Sequence, residues 1–147
     1  MLKIPPPLLV LILVISNYFS SKKIDLILLP NQDITSIIIF LIGMLILINP
    51  IFKFIKSKTT IDPIKFKKVN KLITSGIYKY SRNPMYLGLS FVLSGLSMIV
   101  NPIGGFIFIP LFILYLNFFQ IMPEENAMTD LFEKEFLEYK KSVRRWI

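Results

Sequence analysis

The sequence predicts an all-α fold: one polytopic membrane helical bundle over residues 1–147, with about four transmembrane helices and a C-terminal amphipathic helix. Three observations lead there. The 147-residue chain is 54% hydrophobic, more apolar surface than a soluble domain of this size can bury. The apolar residues arrive in long blocks without charge, as a helix surrounded by lipid requires. Finally, the net charge of +8 is concentrated in one segment rather than spread over a face.

The first block, residues 4–20, follows Lys3 and opens on Pro5, Pro6 and Pro7. The triple proline and the absence of a small-x-small cleavage pattern favour a retained span over a signal peptide. After a connector comes the strongest block, 34–54, which carries no charge before Lys53. Its Ile-rich run is too long for a strand and reads as a full transmembrane helix. A basic loop, 55–83, contains Pro63 and Gly76 and should lie at the headgroup surface. Blocks 85–100 and 103–122 are separated by Asn101-Pro102-Ile103-Gly104-Gly105, a tight turn by composition, so the two should form a helical hairpin. Gly88, Ser90, Ser94, Gly95 and Ser97 would let neighbouring helices approach closely. Residues 124–142 turn polar but keep Met128, Phe132, Phe136, Tyr139 and Val143 in register, the stripe of an amphipathic helix starting near Pro123.

Between Lys53 and Arg82 stand nine basic residues, Lys53, Lys56, Lys58, Lys65, Lys67, Lys68, Lys71, Lys79 and Arg82, against Asp62 alone. That is the charge pattern of a cytoplasmic loop between spans, and it removes the need to invoke nucleic acid. Four spans then put both termini and the loop on the cytoplasmic face, with a bacterial inner membrane the expected setting. Lys22 and Lys23 fall on the far side, partly offset by Asp25 and Asp33. With neither Cys nor His, the chain has no thiolate nucleophile, no imidazole base and no Cys/His metal site. Chemistry must rest on carboxylates, Arg, Lys, Tyr, amides and a cofactor.

In an antiparallel hairpin the start of one arm neighbours the end of the other, so Arg82, Asn83 and Tyr86 should face Glu124 or Glu125. Taken singly each has a plainer reading. Arg82 suits a snorkelling anchor, the two glutamates suit helix-dipole partners, and Tyr78, Tyr80 and Tyr86 suit an interfacial aromatic belt.

Together they are more specific. SGIYKYSRNPMYLG, residues 75–88, resembles the signature of the isoprenylcysteine carboxyl methyltransferase and phospholipid methyltransferase families, and EENAMTDLFEKEFLEYKKSV resembles their second block. The likeness covers about residues 60–146. It implies an integral membrane methyltransferase using S-adenosylmethionine, with cofactor contacts at Asn70, Lys71, Leu72, Ile73, Tyr78, Asn83, Pro84, Met85, Tyr86 and Glu124. Arg82, Glu124 and Glu125 are the candidate catalytic residues, and Arg82 matches the arginine those families require. Asn83 stands where the carboxyl methyltransferases usually have His, Glu133 replaces a common Gly, Arg144 a common Pro, and Gln120 a substrate-contacting Arg.

Methyl displacement from a sulfonium needs positioning and charge management more than acid and base groups. In the family's frame Glu124 would hold polar or cationic parts of the cofactor. Arg82 would fix an anion: the acceptor's carboxylate or phosphate, or the cofactor's own carboxylate. No metal is implied, and no glycine-rich strand-turn-helix marks a Rossmann cofactor domain. Expected partners are the bilayer and a lipophilic or lipidated acceptor. Two other readings stay open, an NADPH-dependent membrane sterol or steroid reductase and a catalytically silent scaffold of the same fold.

Overall fold

A computed structural model describes residues 4–23, 29–57 and 72–147, the side chains of 53–57 excepted. Asn70, Lys71 and about half of the expected basic loop, residues 58–71, lie outside the described residues. Helix α1 is Pro6–Ser20, α2 Gln32–Ser57, α3 Pro84–Val100, α4 Pro102–Tyr115 and α5 Met122–Ser142. A 3-10 turn, Gly76–Lys79, precedes α3, and no strand occurs among the described residues.

Helix α3 is central, packed by α2 along its length and by α1 and α4 on other sides. Glycine makes the α2–α3 contact possible. A Cβ at Gly43 would sit 2.7 Å from the Val92 nitrogen, and one at Gly95 2.8 Å from the Phe40 nitrogen. Backbone meets backbone there, the membrane mode of packing by small residues. Leu89, Val92 and Leu93 of α3 join Leu9, Val10, Phe112, Leu116 and Ile121 in the core. The outer faces are apolar but exposed: Ile37, Leu41 and Leu45 on α2, and Phe106, Leu111 and Phe118 along α4 and beyond. Gln32–Phe52 and Pro102–Ser142 are long and apolar enough to cross a membrane. A surface of this kind associates with lipid rather than water.

Two expected features change. The anticipated turn at residues 101–105 shrinks to Asn101, whose side chain accepts a hydrogen bond from the Ile103 nitrogen at 3.1 Å and caps α4. Pro102 starts the helix, where its missing N–H costs nothing. Gly104 serves contact rather than turning, since an added Cβ would collide with Asn17 of α1. Asn17 is fully buried and donates to the Ser97 and Asn101 carbonyls at 3.3 and 3.2 Å.

The second change is at Pro123, which does not begin a separate helix. Chain continues from α4 through a π-helical turn, Leu116–Ile121, into α5. Proline clashes with the carbonyl four residues earlier, and a widened turn placed just before it accommodates that defect without ending the helix. The real interruption lies at Glu133, with φ 39° and ψ −112° inside α5.

Candidate functional site

One end of the bundle gathers the polar groups. The Ile4 nitrogen donates to the Tyr115 hydroxyl, and the Gln120 amide donates to the Ile4 carbonyl at 3.2 Å, so the start of α1 lies beside the π turn. Gln120 is thereby occupied within the protein. The same end receives the segment 72–83 and the chain beyond α5.

Pro84 opens α3 in its first turn, and Ser81 accepts a hydrogen bond from the Asn83 nitrogen at 3.1 Å, fixing the entry to the helix. That geometry aims Arg82 at α5. Its Nη2 lies 2.7 Å from Glu125 Oε1, while Nη1 donates to the carbonyls of Val143 at 2.7 Å and Lys140 at 3.1 Å. The Arg82 backbone nitrogen also donates to the Arg144 carbonyl. Asn83 Nδ2 reaches the Arg145 carbonyl at 3.0 Å. Arg145 returns to Glu125, its Nη2 2.7 Å from Oε2 and its Nε 3.2 Å from Oε1. The tail after α5 is therefore a strap, closed over the bundle end by a carboxylate held between two guanidinium groups.

Side chains of Arg82 and Glu125 are only 10% and 8% exposed, so both charges sit where solvent screens them little. Burial alone would raise the Glu125 carboxyl, but the hydrogen bonds from Arg145 and Arg82 outweigh it and hold the group below the usual carboxylate range. Arg82 Nε is buried without a hydrogen-bond partner.

A second polar group lies beside this clasp. Tyr86 donates its hydroxyl hydrogen to Glu124 Oε1, linking the first turn of α3 to the first turn of α5. Tyr78 is buried, and burial, together with nearby Tyr139 and Glu124, raises its hydroxyl well above the ordinary tyrosine value. Tyr139 donates to the Tyr78 carbonyl at 2.6 Å and is itself pushed up to about 12 by burial. Tyr78, Phe136 and Tyr139 form a small core with Leu72, Ile73, Ile77, Met128, Phe132 and Val143 around them. The stripe read along residues 128–143 thus packs on segment 72–78.

Of the sequence-derived candidates, Arg82 meets Glu125, Tyr86 meets Glu124, and Leu72, Ile73 and Tyr78 share one cluster with α5. Pro84 is buried at the helix start and Met85 is half-buried beside it. Asn70 and Lys71 are outside the described residues. Tyr80 is 75% exposed, away from the contacts just described. The helix-dipole reading of Glu124 and Glu125 fails, because α5 continues from the preceding turn and offers no free N-terminus. Arg145 and Trp146 were missed as individual positions. Their signal was the basic and aromatic end of the chain, which lies just past the helix expected over 124–142, and α5 does stop at Ser142. Trp146 Nε1 donates to Asn117 Oδ1 at 3.3 Å, adding a last tie between strap and π turn.

A carboxylate with a tyrosine hydroxyl on it, aromatic rings nearby and no acid–base imidazole can hold a cationic or polar ligand in place. A paired guanidinium beside it orders the wall of the same region. The described carboxylates and tyrosines fit a group such as a sulfonium nucleoside, and the buried unpaired Nε of Arg82 leaves one donor for it or for structure.

A family model described as phospholipid methyltransferase matches residues 32–135. Over 85 residues the chain is 36% identical to Protein-S-isoprenylcysteine O-methyltransferase of Saccharomyces cerevisiae, covering 54% of this chain and 34% of that one. Over 75 residues it is 35% identical to the protein of the same name in Mus musculus, covering 49% of this chain and 25% of that one. An uncharacterized protein of Haemophilus influenzae is 35% identical over 63 residues, 43% of this chain and all of that one. The chain spans 34% and 25% of the two named methyltransferases' length. The two relatives with a named activity are methyltransferases, which gives the reductase reading no support. No solved structure matches.

Proposed function

The chain belongs to the phospholipid methyltransferase family, and from that premise we propose that it is a membrane methyltransferase acting on a lipophilic acceptor with S-adenosylmethionine as donor. The observation that carries this reading is the meeting of two distant motifs at one end of the bundle: Arg82 on Glu125 and Tyr86 on Glu124, pairs separated by 43 and 38 positions. In this reading α1, α2, α3 and α4 span the bilayer, and the site faces the cytoplasm of a bacterial cell.

S-adenosylmethionine, when bound, supplies an activated methyl group on a sulfonium cation. Glu124, oriented by the Tyr86 hydroxyl, would hold the polar or cationic part of that ligand. Tyr78, with Leu72, Ile73, Asn83, Pro84 and Met85, would wall its nucleoside. Arg82 and Glu125 would act by fixing the strap that excludes water from the site, since the Arg82 Nη atoms are already engaged by protein. That makes Arg82 a positioning residue rather than the primary anchor for an acceptor anion. Isoprenylcysteine-like and phospholipid-like acceptors both suit such a site.

Calorimetry with S-adenosylhomocysteine and NADPH tests the donor, with binding of the first expected. Tight NADPH binding with no S-adenosylhomocysteine heat would overturn the reading in favour of a reductase. Glu124→Gln should weaken S-adenosylhomocysteine binding about tenfold or more, the scale of one charged hydrogen bond. Comparing lipids from cells with and without the gene for a methylated species then identifies the acceptor. Binding without any transfer across prenylated, phospholipid and quinone-like acceptors would point instead to a silent scaffold.

A further inference from the structure

Helices α3 and α4 touch at the end away from the site, where a Cβ on Gly105 would lie 3.2 Å from the Ser97 side chain. Toward the site they part. Leu87, Ser90, Phe91 and Ser94 on one wall, Ile109 and Ile113 on the other, and Trp146 of the strap enclose an open groove of about 320 Å³. Leu87 and Ser94 are two turns apart, which gives the groove a length of roughly 10 Å along α3. Its two hydroxyls make no demand on a ligand, because Ser90 donates to the Tyr86 carbonyl at 2.9 Å and Ser94 to the Ser90 carbonyl at 2.8 Å. What the groove offers is apolar wall and small residues that leave room.

Its position gives it meaning. Leu87 follows Tyr86, the partner of Glu124, and Trp146 follows Arg145, the partner of Glu125. The groove therefore ends one residue along the chain from each half of the candidate site and, in the four-span reading, is open to hydrocarbon along its side. We propose that it seats a single flexible aliphatic chain of the methyl acceptor, with Trp146 as the specificity-determining wall where chain meets headgroup. The proposal rests on the methyltransferase reading above. A ligand lying here would bring its polar end to Glu124 and Tyr86 while its chain replaces lipid contacts along Ser90 and Ser94. The clasp on Glu125 then has a second consequence, since holding the strap also holds Trp146 in the groove wall.

Trp146 is the chain's single tryptophan, so all indole emission reports on this wall. A dibrominated octadecyl amphiphile titrated into detergent-solubilised protein should quench it saturably. Ser94→Leu and Ile109→Phe fill the groove from opposite walls, and each should weaken that quenching about tenfold, the effect of excluding a few methylene groups from an apolar seat. Quenching that is unsaturable, or equal in all three proteins, would mean that Trp146 meets bulk amphiphile only and would overturn the proposal. Two variants guard against one that misfolds, and retained S-adenosylhomocysteine binding certifies each.

The second arm measures methyl transfer to long- and short-chain acceptors bearing one headgroup. Filling the groove should raise KM for the long chain about tenfold, with kcat and the short-chain KM little changed. Weakened quenching with an unchanged long-to-short ratio would make the groove a seat for structural lipid and overturn the acceptor assignment. Wild-type protein inert toward every acceptor would overturn the methyltransferase reading and that assignment together. The quenching arm would still report whether the groove holds a chain.

Discussion

The α2–α3 seam and the clasped strap hold the molecule together by opposite means. At the seam, Gly43, Gly88 and Gly95 bring two backbones into contact, with no charged group among the atoms nearest those glycines. At the strap, Arg82, Glu125 and Arg145 join segments through ion pairs and carbonyl hydrogen bonds, with Val143 and Trp146 adding apolar contacts. The seam tolerates no added atom, yet pH and salt have no lever on it. The strap tolerates changes in volume but depends on the charge of one carboxylate. A rigid seam can carry a site, whereas a strap held by charge can open and close over one.

The largest expected effect breaks the strap while sparing the seam. Arg82→Ala removes two carbonyl bonds and leaves Glu125 with one guanidinium fewer in a buried setting, a loss of about 3–5 kcal/mol for such networks. Turnover should vanish, Trp146 should become accessible to acrylamide, and helix content by circular dichroism should hold. Arg82→Lys should rescue little, because a single ammonium cannot serve a carboxylate and two carbonyls in the same fork. Unchanged Trp146 accessibility in Arg82→Ala would show that the clasp does not hold the strap.

Acid should act on the strap in the same direction. Glu125 has a folded-state pKa depressed below its ordinary 4.5, so its contribution is fully present above that value. It is lost as pH falls through the lower folded value. Trp146 accessibility should therefore rise once the pH falls below the ordinary carboxylate range, while the apolar seam stays intact. An acid-induced rise that persists unchanged in Glu125→Gln would show that another group opens the strap.

Next in size is a lesion of the seam. Gly43→Leu places side-chain atoms where a Cβ already lies 2.7 Å from the Val92 nitrogen, and overpacking of this kind costs about 1–3 kcal/mol or more. Thermal unfolding in detergent should come earlier than in the wild type by the same amount at every pH between 3 and 8, roughly the span over which carboxylates and imidazoles titrate. Were its destabilisation strongly pH-dependent, the separation of seam from strap would fail.

The smallest effect is a gain. Glu133 holds a positive φ of 39° that glycine adopts without strain, and removing such strain returns about 1 kcal/mol. Glu133→Gly should raise the unfolding temperature slightly and leave the clasp's pH profile unchanged. A lower unfolding temperature would assign the glutamate side chain a contact worth more than its backbone strain.

Much of the fold was legible because it depends on local composition. The apolar blocks at 4–20, 34–54 and 85–100 correspond to α1, α2 and α3 within a few residues, since a run without charge leaves the backbone no better partner than itself. The meeting of Arg82 with the Glu pair followed from hairpin geometry and was likewise readable. Less readable was the fourth block. Proline and glycine at 101–105 and at 123 look like punctuation in one dimension, but Gly104 is there to admit Asn17, and Pro123 is absorbed by a π turn.

The sequence by itself determined that helices would form and roughly where, because hydrophobic length and the placement of charge are properties of the chain read along its own axis. Only the tertiary structure decided which glutamate Arg82 engages, that Arg145 returns across 20 positions to share it, and that Trp146 walls a groove. Ion pairs and hydrogen bonds are set by ångström distances between segments, and neighbouring carboxylates such as Glu124 and Glu125 are equivalent until packing turns one toward Tyr86 and the other toward two guanidinium groups.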